Sequence, residues 1–161
     1  MSVLLYNCSC WAAPQDILES VNIVQRKHLK RILNIYWPNT ISNDALYART
    51  KMKPLTERIE KARWTMLGHV LRSDNNTPAY QSFLFAAFGC NGLKGRIGKH
   101  RTNLYDIIVK KDLFKRNIYL KNLDDFNNLV ILAKDRLEWK SLFNLRRIVR
   151  KSQRKLKEIS G

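Results

Sequence analysis

Apolar residues recur along this chain at spacings of three and four, the helical period, and no stretch alternates as a strand ladder would. Six helical segments are expected. The first spans about Pro14 to Ile35, where Ile17, Val21, Val24, His28 and Ile32 fall on one stripe that Leu18, Leu29 and Leu33 widen. Pro14 suits a first turn, and Asp16 and Glu19 sit near the positive end of the helix dipole. Arg26, Lys27, Lys30 and Arg31 load the far end, where they favour the dipole and are available to phosphates. Trp37-Pro38-Asn39 breaks the pattern, Ser42 caps a short helix through Arg49, and Pro54 closes that connection. Thr56 is then expected to cap a long helix to about Arg72, with Ile59, Ala62, Met66 and Val70 inward and Arg58, Lys61 and Arg63 beside them.

Asp74-Asn75-Asn76 reads as a turn, and Thr77-Pro78 opens a fourth helix whose aromatic face is Tyr80, Phe83, Leu84, Ala87 and Phe88, stopped by Gly89. A fifth, about Asn103 to Leu113, turns Leu104, Ile107 and Ile108 inward. The last begins near Asp124 or Asp125 and runs past Trp139, with Phe126, Leu129, Ala133, Leu137 and Phe143 apolar. The expected fold is all-α, an irregular bundle of about six helices with a basic glycine-rich loop and a basic C-terminal tail. The pattern divides it into helical residues 1–88, the loop 89–101, a second helical region 102–144 and the tail 145–161.

Charge changes the picture most. Thirty Lys and Arg against thirteen Asp and Glu leave the 161 residues at +17, and the excess comes in blocks. Residues 26–75 hold eleven basic and four acidic side chains, residues 94–121 nine and two, and the tail 145–161 seven and one. A field of this sign attracts polyanions, of which nucleic acid is the commonest. With 45% hydrophobic residues the chain can still build a core, so wholesale disorder is not expected. Its apolar runs fall far short of the ~20 residues that span a bilayer, so no membrane association is expected. Val3-Leu4-Leu5-Tyr6 lacks the preceding cation of a signal peptide, and secretion is not expected either.

Candidate chemistry is sparse. Cys8, Cys10 and Cys90 are odd in number, and Cys8-x-Cys10 is too short for a zinc pair, so the cysteines read as reduced and buried or half-buried. No metal and no cofactor are expected. The segment GCNGLKGRIGKHR, Gly89 to Arg101, invites a phosphate-loop reading because Gly98-Lys99 is present. Leu93 stands where the loop's first glycine belongs and His100 where a Ser or Thr must follow the lysine, so the match fails. Lys94, Arg96, Lys99 and Arg101, alternating with spacers, suit a flexible loop lying along a phosphate backbone. Four tryptophans offer base-stacking surfaces. Trp139 lies near an apolar helix face and reads as core, whereas Trp37 follows the Lys30-Arg31 cluster and is the best candidate for nucleic-acid contact. His69 has no defined partner for catalysis and reads as a structural, hydrogen-bonded histidine, with Gly68 before it marking close helix packing.

Several strings occur in the order of one family. Val3-Leu4-Leu5-Tyr6 reaching Trp11, Leu29-Lys30-Arg31-Ile32-Leu33-Asn34-Ile35 before Trp37, Ile41-Ser42-Asn43, Arg49-Thr50 with Pro54-Leu55, Leu67-Gly68-His69-Val70-Leu71-Arg72, Gly95-Arg96, and Ala133-x-Asp135-Arg136-x-x-Trp139 follow one another. Over about residues 3–143 the chain resembles the thumb and downstream C-terminal region of reverse transcriptases of non-LTR (LINE-type) retrotransposons. It departs from their pattern at Asn7, Met66 and Ile97. The resemblance implies a nuclear or cytoplasmic protein. Polymerisation in that family uses paired aspartates of a palm that lies upstream of the matched region. Asp124-Asp125, the one adjacent acidic pair, reads as a helix cap. The chain is therefore expected neither to synthesise nor to cut DNA.

The functional expectation is a fragment that grips template–primer or element RNA through phosphates of either an RNA or a DNA backbone. Arg26, Lys27, Lys30, Arg31, Trp37, Lys94, Arg96, Lys99 and Arg101 would carry it. The alternative is a helical packing module, or a degenerate retroelement remnant without activity of its own, whose Val3–Trp11 end would pack on a missing upstream palm or self-associate.

Overall fold

The computed structural model describes residues 4–88 and 104–144, which form seven α-helices and, among the described residues, no strand. The fold is all-α. The cations Lys94, Arg96, Lys99 and Arg101 and the tail 145–161 lie outside the described residues. The chain forms two compact units, Met1–Ala62 and Arg63–Gly161. The boundary falls inside a helix, where the hydrophobic pattern shows no break.

In the first unit, a 3₁₀ turn (Cys8–Cys10) precedes α1 (Gln15–Ile32), α2 (Asn43–Thr50) and the opening of α3 (Leu55–Arg72). Cys8, Leu18 and Ile59 are buried together, with Leu5, Trp11, Ala13 and Ala62 packed around them. Cys10, expected inside, is exposed. The buried face of α1 differs from the expected one. It is Leu18, Asn22, Gln25 and Leu29, whereas Ile17, Val24, His28 and Ile32 of the expected stripe are exposed.

Two buried amides explain the difference. A helix start leaves N–H groups without partners. Those of α3 are met from α1: Asn22 Oδ1 accepts the Thr56 N–H at 3.3 Å, and Gln25 Oε1 accepts the Leu55 N–H at 3.0 Å. The amide nitrogens are used too, Asn22 donating to Thr56 Oγ1 (3.1 Å) and Gln25 to the Lys53 carbonyl (2.9 Å). Thr56 is thus inside the first turn and receives a cap where it was expected to supply one. Ser42 does cap α2, its hydroxyl accepting the Ala45 N–H at 3.2 Å. Helix α1 stops three residues earlier than its pattern suggests. Asn34 adopts the left-handed region (φ 54), and the Asn34 and Ile35 N–H groups return to the carbonyls of Arg31 and Lys30, a Schellman closure.

The second unit centres on the rest of α3. Trp64, Leu67, Val70 and Leu71 meet Tyr80 and Phe83 of α4 (Pro78–Phe88), Phe126, Leu129 and Ala133 of α6 (Leu123–Lys134), and Trp139 of α7 (residues 136–144). Between α4 and α6 lie the short α5 (Leu104–Ile107), a π-helical stretch (Ile108–Leu113) and a 3₁₀ turn (Phe114–Arg116). The expected continuous helix through Trp139 is broken at Asp135. That residue is extended (φ −78, ψ 105), and its carboxylate accepts the N–H groups of Leu137 and Glu138, starting α7 afresh. The new phase leaves Leu137 exposed and buries Trp139. At the start of α6, Asp125 accepts the backbone N–H groups of Lys121 and Asn122, the capping role its sequence suggests.

Trp64 and Trp139 stack with ring centroids 4.1 Å apart and planes within 5°. Each indole N–H donates to the other's backbone carbonyl, at 2.8 and 3.0 Å. Gly68, one turn after Trp64, makes room: a Cβ there would overlap Trp139 Nε1 and stand 2.8 Å from its Cδ1. Arg63, expected beside the apolar face, is 2% exposed and forms a two-pronged pair with Asp112 (2.9 and 3.1 Å). Arg116 donates to the Asp112 carbonyl and lies over the Trp64 ring, 4.1 Å from its centroid. His69, expected to be held by hydrogen bonding, is exposed.

Candidate nucleic-acid interface

The last two turns of α1 carry Arg26, Lys27, Lys30 and Arg31, and the chain then passes through Tyr36-Trp37-Pro38-Asn39 before α2. The Schellman closure satisfies the Lys30 and Arg31 carbonyls, so the helix end needs neither side chain folded back over it. Lys27 and Arg31 are exposed and Lys30 is half-buried. Among the described residues, no hydrogen bond or ion pair engages the side chains of these three. They are spaced three and four apart, which makes them neighbours on one helix surface.

Arg26 behaves differently. Its guanidinium donates to Glu19 Oε1 at 2.8 Å. That bond, helped by the Asn22 amide, holds the Glu19 carboxyl below its usual range and raises Arg26 further. Arg26 is therefore partly neutralised, and Lys27, Lys30 and Arg31 are the cations this end of α1 offers. The pairing was visible in principle, because residues seven apart share a helix face.

Trp37 is 90% exposed, and Tyr36 beside it is 59% exposed. The Asn39 N–H closes the turn onto the Tyr36 carbonyl at 2.9 Å. Tyr36 was missed by sequence reasoning, since outside a helix no periodicity says which way an aromatic faces. Trp64 and Trp139 are buried against each other and Trp11 is half-buried against its own unit, so none of the three presents an open ring face like that of Trp37. The site thus combines point cations that suit phosphates with flat apolar rings that suit bases. The other four expected contacts, Lys94, Arg96, Lys99 and Arg101, are outside the described residues, so nothing places them with this group.

Among the described residues, no group of three His, Cys, Asp or Glu side chains is gathered to hold a metal ion, and no helix is long and apolar enough to cross a membrane. No protein-family model, curated protein or solved structure matches the chain.

Proposed function

We propose that the chain binds nucleic acid through phosphates, with Lys27, Lys30 and Arg31 as the described contacts and Trp37 as a stacking surface for an unpaired base. The observation that carries this is the pairing of three cations engaged by no described partner with an indole left almost wholly in solvent. Exposing a tryptophan to this extent forgoes ~2 kcal/mol or more of burial, a cost expected to be met by a ligand. The +17 charge supports the same reading, because it draws polyanions over long range. The motif order resembling a retrotransposon reverse-transcriptase thumb supports it as well, and in that setting the partner would be template–primer or element RNA.

Phosphate contacts fix position and affinity but read little sequence. The test is fluorescence anisotropy of labelled single-stranded and duplex oligonucleotides against salt concentration. Affinity should fall log-linearly, with a slope of about −0.7 per phosphate neutralised on single strands and about −0.9 on duplex. Lys30→Glu with Arg31→Glu should weaken binding and flatten the slope, with the helical circular dichroism unchanged. Trp37→Ala should cost single-strand binding ~1–3 kcal/mol and duplex binding little. Binding that ignores salt, or none at low salt, refutes the proposal.

A further inference from the structure

Helix α1 bears a second surface that the described residues of its unit leave uncovered. Ile17, Val21, Val24, His28 and Ile32 recur at four, three, four and four residues, which puts them on one stripe of an α-helix. Ile17 is 49% exposed, Val24 47% and Ile32 74%, and His28 is exposed as well. Along one border run Leu18, Gln25 and Leu29, which are buried. Along the other, Lys27 lies three residues after Val24 and Arg31 three after His28, so each cation flanks a stripe position. The carboxylate on that border is Asp16, in the first turn of the helix, while Glu19 lies on the far side and is bonded to Arg26 and Asn22.

We infer that this stripe docks an acidic amphipathic helix of a partner protein, whose apolar seam covers Ile17, Val21, Val24 and Ile32 and whose flanking Asp or Glu side chains face Lys27 and Arg31. Charge selects the occupant. Flanking residues of a helical seam choose partners by charge complementarity, and here the open flank is net cationic. A second copy brings another +17 and a flank of two cations to one carboxylate, so pairing two copies sets a net like charge together. An acidic helix relieves that repulsion while burying the same apolar area.

The test uses the full chain and two labelled synthetic peptides, alike in a Leu/Ile seam, one flanked by Glu and the other by Lys. The Glu-flanked peptide should bind, more weakly as salt rises, and the Lys-flanked peptide should not. Ile17→Gln with Val24→Gln should weaken binding at least about tenfold. Both residues are half in solvent, so helical circular dichroism and the thermal midpoint should be kept. Failure of the Glu-flanked peptide to bind, equal binding of the Lys-flanked one, or binding that survives the double substitution overturns the inference. A dimer in sedimentation that the double substitution disperses overturns it too, in favour of a second copy.

Discussion

Replacing Gly68 by Ala separates two effects of opposite sign. In a helix interior, Ala is favoured over Gly by about 1 kcal/mol, so propensity alone predicts a more stable protein. The added Cβ, however, would occupy the place of Trp139 Nε1 and stand 2.8 Å from its Cδ1 and 3.0 Å from Arg72 Nη1. The indole must move. Moving it sacrifices a stack worth ~0.5–1.5 kcal/mol. It also breaks the buried bond from Trp139 Nε1 to the Trp64 carbonyl, costing ~1–3 kcal/mol if the donor stays unsatisfied. The net expectation is a loss of about 0.5–3.5 kcal/mol, a sizeable part of the stability of a domain of this size. Urea unfolding followed by tryptophan fluorescence measures it, and the circular-dichroism signal of the parallel indole pair reports the stack directly. A Trp139→Ala background supplies the control: with the ring gone, Gly68→Ala should become stabilising by about 1 kcal/mol. A Gly68→Ala protein as stable as the parent, with its stacking signal intact, refutes the reasoning.

Arg63→Met alone should cost ~3–5 kcal/mol in urea unfolding because it strands the Asp112 carboxylate, whereas Arg63→Met with Asp112→Leu should recover much of that loss. Lys51 ends α2 at φ 52, so Lys51→Gly should stabilise by ~1 kcal/mol, measured as a raised thermal midpoint. Backbone N–H bonds from Lys121 and Asn122 hold the Asp125 carboxyl below its ordinary value of 3.8. Its contribution to stability is thus present above that value and lost as pH falls through the lower folded one, so Asp125→Asn should flatten the acid limb of the stability curve without changing its shape near neutrality.

Much of the helical framework was legible because it depends on local chemistry. Ser42, Thr77-Pro78 and Asp125 mark helix starts by what their own side chains do within a turn. The face of α1 was not legible in the same way. Asn22 and Gln25 count as polar in any hydrophobic pattern, yet they are buried because the start of α3 supplies partners for them, 28 to 34 residues away. Arg63 was misjudged for a similar reason, since its carboxylate partner lies 49 residues downstream. The two tryptophans meet across 75 residues, and no spacing rule reaches that far. Asp135 was readable as a capping residue but was overridden by the apolar run around it. Of the candidate interface, Lys27, Arg31 and Trp37 are as open as their positions suggest. Arg26 is the member whose neighbour on the same face, Glu19, changed its role.

The amides of Asn22 and Gln25 give α3 an unusual dependence. First-turn amide hydrogens normally face water and exchange with solvent even while the rest of a helix is intact. Those of Leu55 and Thr56 instead point at oxygens carried by another helix, and their protection lasts only while α1 stays seated. They are natural isotope-exchange reporters of α1 undocking: deuterium entering at these two positions registers the departure of the very helix that carries Lys27, Lys30 and Arg31.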